Sequence, residues 1–239
     1  MEPLFGLDPL LWNIFVTFLV FVYIMSIIKI MDVLVTKGFP QDVSRKIIHI
    51  AAGSWIIFWP LYYGGHWSYV LNIAVAVLWT ILFLVKGLTA TPDDPAVKTM
   101  TRTGDPKELL KGPLFFTLVM EFVGIFFFMD IRGIVTMAAL GWGDGLAPLF
   151  GKRFGTIKYS ILNNEKSLQG SLAMLVFSYL ASLMFSLIIL PSAINITFII
   201  NLLIIALVAT IIEAISPKDI DNILIPLVIL PATMILFII

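Results

Sequence analysis

The sequence predicts an all-α fold: a polytopic transmembrane helix bundle of about eight spans, one domain over residues 1–239, with a broken helix around 141–148. Three observations lead there. Of 239 residues, 60% are hydrophobic and 13% charged, whereas a soluble domain is roughly half apolar and a quarter charged. So little charge cannot cover a water-facing surface, and mean hydropathy is +1.04. Apolar runs recur at the length, about 17–25 residues, that crosses ~30 Å of hydrocarbon as a helix. The connections between them alternate between long polar stretches and very short ones.

The expected spans cover 10–35, 47–63, 68–85, 113–129, 133–149, 170–190, 194–213 and 223–239. Only Glu2 and Asp8 precede the first. A secretory signal would open on positive charge and close on a small-residue cleavage site, so this run is expected to be a retained span, with no transit peptide. Lys37, Arg45 and Lys46 fall in the first connection, and Lys86, Lys98, Arg102, Lys107 and Lys111 in the third. Lys152, Arg153, Lys158 and Lys166 fall in the fifth and Lys218 in the seventh, while the even connections carry only Arg132. The positive-inside rule then places the odd connections in the cytoplasm and both termini on the opposite side. Lys29, near the inner end of the first span, can snorkel to the surface.

There is no cysteine, which excludes disulfides and thiolate metal sites. The polar motifs all lie on the expected cytoplasmic face, whereas a small-solute transporter would bury polar groups near the midplane. No nucleic-acid partner is expected; the bilayer is the partner these observations imply, and oligomeric state is open.

One stretch concentrates the chemistry: Trp142-Gly143-Asp144-Gly145-Leu146-Ala147-Pro148-Leu149-Phe150-Gly151-Lys152-Arg153-Phe154-Gly155. Gly141, Gly143, Gly145 and Pro148 argue against a regular helix throughout, and irregular backbone in lipid belongs where it faces protein or a cavity. Asp144 is costly in hydrocarbon and should face protein, water or a cation. Gly151 and Gly155 bracket a flexible basic turn. A carboxylate for Mg²⁺, glycines for close approach of amides to phosphate, and lysine or arginine for the remaining charge make a nucleotide site. The run is no Walker P-loop: five residues separate Gly145 from Gly151-Lys152, and Arg153 stands where serine or threonine is required. The competing reading is a glycine-rich packing contact with an interfacial basic loop. Glu121 and Asn201 lie within spans and Glu213 at a span's inner end; intramembrane carboxylates are functional candidates, and simple hydrogen-bonding roles stand beside that reading.

Asp144-x-x-Ala147, Gly151-Lys152-Arg153-Phe154-Gly155, Lys158 and Lys166-Ser167-x-x-Gly170-Ser171 resemble the nucleotide-site pattern of CTP-using integral-membrane lipid enzymes. Among these the chain is most similar to the phytol kinase and dolichol (polyprenol) kinase family. Arg45-Lys46-x-x-His49 with Gly53, Gly104-Asp105-Pro106 through Glu108-Leu109 to Lys111-Gly112-Pro113-Leu114, and Glu213 with Asp221-Asn222-x-x-Ile225-Pro226 complete the resemblance, in order from Arg45 to Pro226. Phosphatidate cytidylyltransferases share the carboxylate–glycine–lysine segment. Their closing His-Gly-Gly stretch is missing here, where Lys218-Asp219 leads into Ile220-Asp221-Asn222, which favours the kinase.

The resemblance implies transfer of the γ-phosphoryl of CTP to the hydroxyl of a long-chain isoprenoid alcohol (phytol, geranylgeraniol or a dolichol or polyprenol) at the cytoplasmic interface. The alternative it leaves is a cytidylyltransferase making a CDP-activated lipid. It implies Asp144, Lys166, Asp105 and His49 as catalytic residues, and Mg²⁺ held by Asp144 with Asp105, Asp221 or Glu213. Gly143, Gly145, Gly151, Lys152, Arg153, Gly155, Lys158, Ser167, Gly170, Lys111, Arg45, Lys46 and Asn222 are the implied nucleotide and phosphate contacts. Ser167 and Gly170 are expected to open the next helix, whose amides favour an anion.

Overall fold

The computed structural model describes residues 6–162, 164–217 and 220–237; Lys218 and Asp219, counted among the motifs above, lie outside them. The fold is all-α and polytopic. Backbone contacts group the chain into two compact units, Met1–Phe128 and Met129–Ile239.

In the first unit, helix α1 (Pro9–Thr36) begins where Asp8 accepts from the amides of Leu10 and Leu11, with Pro9 in the first turn, where its missing N–H costs nothing. Trp12, Val16, Val20, Ile24 and Ile28, four residues apart, form one buried stripe against Tyr62, Val75, Phe83, Val97 and Met100. The opposite stripe, including Leu11 and Phe18, is exposed and suited to acyl chains. Polar bolts fix the N-terminal end of α1: Asn13 Nδ2 donates to Ser68 Oγ at 2.8 Å, and the Tyr63 amide donates to Asn13 Oδ1 at 2.8 Å. Helix α2 (Gln41–Gly53) runs on as a 3-10 segment, Ser54–Leu61. A second 3-10 turn (Trp67–Ile73) leads into α3 (Ala74–Thr89). The expected loop then contains α4 (Pro95–Met100) and a 3-10 turn (Pro106–Leu110) before α5 (Gly112–Phe126).

In the second unit, α6 (Ile131–Ala138) passes through a π-helical turn (Ala139–Gly143) into α7 (Asp144–Phe154). A hairpin of β1 (Lys158–Ile161) and β2 (Asn164–Ser167) follows, then α8 (Leu168–Ile189), α9 (Ile196–Ile215) and α10 (Asp221–Leu236). Among the described residues six helical stretches are long and apolar enough to cross a membrane: Pro9–Thr36, Trp67–Thr89, Pro106–Phe126, Ile131–Phe154, Leu168–Ile189 and Ile196–Ile215. Of the other two expected spans, 47–63 falls in the composite of α2 and its 3-10 extension, which carries Asp42, Arg45 and Lys46, and 223–239 in the shorter apolar helix α10.

The expected break around 141–148 is corrected. The chain stays helical from Ile131 to Phe154, and its irregularity is the single widened turn at 139–143. A π turn keeps backbone groups bonded inside the segment, which hydrocarbon demands more strictly than water does. The flexible turn expected at Lys152–Phe154 is likewise the last turn of α7, where two cations oppose the negative end of the helix dipole.

Candidate active site

Asp144 is the first residue of α7, directly after the π turn, and is 2% exposed. The preceding residue explains how closely α8 approaches: a Cβ at Gly143 would lie 2.0 Å from Ser178 Oγ and 2.8 Å from Met174 Sδ.

The basic segment after α7 is more ordered than its polarity suggests. Residues 158–161 and 164–167 pair antiparallel, with Tyr159 opposite Lys166 and Ile161 opposite Asn164. Alternation puts these four on one face, and that face is clamped down. Tyr159 Oη shares a hydrogen bond with Ser171 Oγ at 2.5 Å, and Asn164 Nδ2 donates to Ser216 O at 3.2 Å. Lys166 Nζ donates to Glu213 Oε1 at 2.5 Å and also to the Glu213 backbone carbonyl. The Lys166 and Glu213 side chains are 12% and 10% exposed, so this ion pair is nearly dry. On the outer face Lys158 pairs with Glu165 at 2.5 Å, and that hydrogen bond and charge hold the Glu165 carboxyl below its ordinary range.

The structure thus brings Lys166 and Glu213 together across 47 positions and gives Glu213 a protein cation as a partner. Ser167 caps α8 as expected, its Oγ accepting from the Gly170 amide at 3.1 Å. That amide is therefore already engaged, which corrects its assignment to an anion.

The glycines have a packing explanation. A Cβ at Gly151 would stand 2.9 Å from Ser167 Oγ, one at Gly155 2.2 Å from Gly151 O, and one at Gly170 3.0 Å from Ala147 O. Gly143, Gly151, Gly155 and Gly170 let α7 and α8 close on each other, so the packing reading left open from the sequence accounts for their lack of a side chain. Gly145 is buried. Asp221 begins α10 and accepts from the Asn222 amide at 3.0 Å; Asn222 is 7% exposed. Lys152 and Arg153 are exposed on the last turn of α7.

The remaining candidates belong to the first unit. On α2, Lys46 is buried, Arg45 is half-buried, and the His49 ring stacks on Phe116 with centroids 4.1 Å apart. Asp105 is exposed and accepts from the Lys107 amide at 2.9 Å, capping the 3-10 turn. Neighbouring Glu108 closes the same loop, taking the amides of Arg102 (2.6 Å) and Thr103 (3.2 Å). Lys111 is exposed at the start of α5. Glu121 accepts from Thr80 Oγ1 at 2.6 Å, and Asn201 Nδ2 donates to Leu236 O at 2.6 Å. Glu121 and Asn201 therefore each have a local hydrogen-bonding role.

Among the described residues no group of three or more His, Cys, Asp or Glu side chains could hold a metal ion. A cage made only of protein is thus not what this chain offers. Nucleotide-borne Mg²⁺ takes one or two carboxylates and completes its shell with phosphate oxygens and water, a mode that a single buried carboxylate such as Asp144 fits.

Comparison with known proteins decides the family. The chain is 33% identical over 181 residues to the probable phytol kinase 1, chloroplastic, of Glycine max, covering 74% of this chain and 60% of that one. It is 33% identical over 221 residues to the probable phytol kinase, chloroplastic, of Triticum aestivum, covering 89% and 73%. The chain belongs to the phytol kinase family. Another relative is the farnesol kinase, chloroplastic, of Arabidopsis thaliana, 36% identical over 146 residues and covering 60% and 47%. The chain therefore spans between about half and three quarters of these phytol and farnesol kinases. No family model matches it, and no solved structure does so significantly. The names describe kinases of phytol and of farnesol.

Proposed function

We propose that the chain is a CTP-dependent kinase that phosphorylates the hydroxyl of a long-chain isoprenoid alcohol. One observation carries the proposal: a family member made of membrane-crossing helices keeps Asp144 2% exposed at the start of α7. Alongside the contacts it already makes, a buried carboxylate of this kind is what a nucleotide's Mg²⁺ would take as a ligand. Relatives named phytol and farnesol kinase support the acceptor class; CTP as donor comes from the motif resemblance.

In the reaction the alcohol oxygen bonds to the terminal phosphorus, the bridging P–O bond breaks, the hydroxyl proton is released, and CDP leaves with the isoprenyl monophosphate. Mg²⁺, when bound with the nucleotide, offsets charge on the phosphate oxygens. Asp144, with Asp221 as second carboxylate, would hold it. Lys166, Lys152 and Arg153 would orient and neutralise the triphosphate. The reacting face would be cytoplasmic, where the basic residues concentrate. The acceptor's tail would stay among the helices while its hydroxyl meets water-borne nucleotide.

The test uses the detergent-purified chain with Mg²⁺, CTP or ATP, and phytol, geranylgeraniol, farnesol or a longer polyprenol. The proposal expects CDP to form only when an alcohol is present, faster from CTP than ADP forms from ATP. Pyrophosphate release with phosphatidic acid, and no alcohol-dependent CDP, would make the chain a cytidylyltransferase instead.

A further inference from the structure

The least expected contact in the second unit is Lys166 with Glu213. A nearly dry ion pair is a poor way to gain stability, because desolvating both charges offsets much of their attraction. A lysine ammonium carries three N–H donors. Two go to Glu213, one to its backbone carbonyl and one to Oε1. Among the described residues the third meets no acceptor, on a side chain only 12% exposed. A donor sheltered to that degree and left unmet is costly, and a ligand oxygen would satisfy it.

The surroundings fix where this donor points. Lys166 precedes Ser167, the cap of α8. Its own strand is tied to the end of α9 by the Asn164–Ser216 bond, and the paired strand β1 is tied to α8 by the Tyr159–Ser171 bond. The hairpin therefore cannot carry the ammonium away without breaking contacts to two helices. With the charge already offset, the pair adds direction more than net attraction.

We propose that Glu213 is a positioning residue that aims the Lys166 ammonium at a phosphate oxygen of the bound nucleotide. The inference rests on the kinase reading above, and its test is arranged to fail separately. Steady-state kinetics on the full chain compare wild type, Lys166→Met, Glu213→Ala, Glu213→Gln and the double variant Lys166→Met/Glu213→Ala. A hydrogen bond to a charged group corresponds to a roughly ten- to hundredfold effect. Lys166→Met and Glu213→Ala should each raise the nucleotide KM by about that factor and leave the alcohol KM unchanged. The double variant should be no worse than Lys166→Met alone, since both remove one interaction. Glu213→Gln keeps both acceptors and removes only the charge, so it should recover most of the Glu213→Ala loss.

Multiplying effects in the double variant would overturn the proposal. So would a Glu213→Gln protein as impaired as Glu213→Ala, which would make the negative charge the essential feature. A second readout needs no turnover: inorganic tripolyphosphate should raise the melting temperature of wild type and do so less for Lys166→Met and Glu213→Ala. Equal stabilisation of all three overturns the positioning role. A wild-type protein that phosphorylates no alcohol yet shows this pattern retains the positioning role and loses the kinase assignment.

Discussion

Gly155→Ala isolates the packing that holds the hairpin against α7 and α8. The backbone at Gly155 has φ −70°, a value alanine adopts freely, so any loss is steric and not conformational. An added Cβ would meet the Gly151 carbonyl oxygen at 2.2 Å, Ser167 Oγ at 2.7 Å and Ser167 Cβ at 2.8 Å. The first is backbone in the last turn of α7 and cannot swing aside. Relief requires either unwinding that turn, which loses the Gly155 amide bond to Gly151 O (3.0 Å), or displacing Ser167. Moving Ser167 breaks the cap on the Gly170 amide and shifts Lys166 next to it. Overpacking costs about 1–3 kcal/mol and loss of a serine cap about 1 kcal/mol, so the variant should lose about 2–4 kcal/mol of stability. Reversible unfolding in mixed micelles measures it. Gly155→Ala/Ser167→Gly should recover part of the loss only, since the Gly151 carbonyl stays in place. A single variant within about 0.5 kcal/mol of wild type, the range of an ordinary surface change, would refute the reasoning.

Three further outcomes follow from particular residues. Asp144→Asn should lower kcat by about a hundredfold or more while the purified protein stays folded and monodisperse; full activity would remove Asp144 from the reaction. Burial raises the Asp94 carboxyl, but its bonds to Lys86 at 2.7 Å and to the Ala96 amide outweigh that and hold it below its ordinary value. A depressed carboxylate stabilises above its unfolded pKa of about 3.9 and loses that contribution as pH falls through the lower folded value. Asp94→Asn should therefore flatten the wild-type fall in stability between about pH 4 and pH 2, read from unfolding midpoints. Asn201→Leu should cost about 1 kcal/mol, through its lost bond to the Leu236 carbonyl, with both KM values unchanged in steady-state kinetics.

The sequence revealed the membrane class and most spans because hydropathy is a local, additive signal over some twenty residues. The Ser167 cap was legible for the same reason: a serine before an apolar run announces a helix start. What it hid depended on distance or on small angular changes. The hairpin alternates Lys158 and Ser160 outward with Tyr159 and Ile161 inward, a period-two pattern too short to stand out in a polar connection. The π turn at 139–143 adds a fraction of a turn to an otherwise regular helix, which no periodicity in so uniformly buried a stretch can register. Glycines around Asp144 fitted two physical needs, phosphate approach and helix packing, and only the neighbouring atoms of Ser167, Ser178 and Ala147 showed that the second is met. The Lys166–Glu213 pair joins positions 47 apart, and nothing in either local segment points to the other.

The most direct test of phosphoryl transfer uses CTP carrying distinguishable labels at its α and γ phosphorus atoms, with an isoprenoid alcohol, Mg²⁺ and the purified chain. Kinase chemistry predicts γ label alone in the lipid phase and α label wholly in aqueous CDP. Label from the α position appearing in lipid would contradict it.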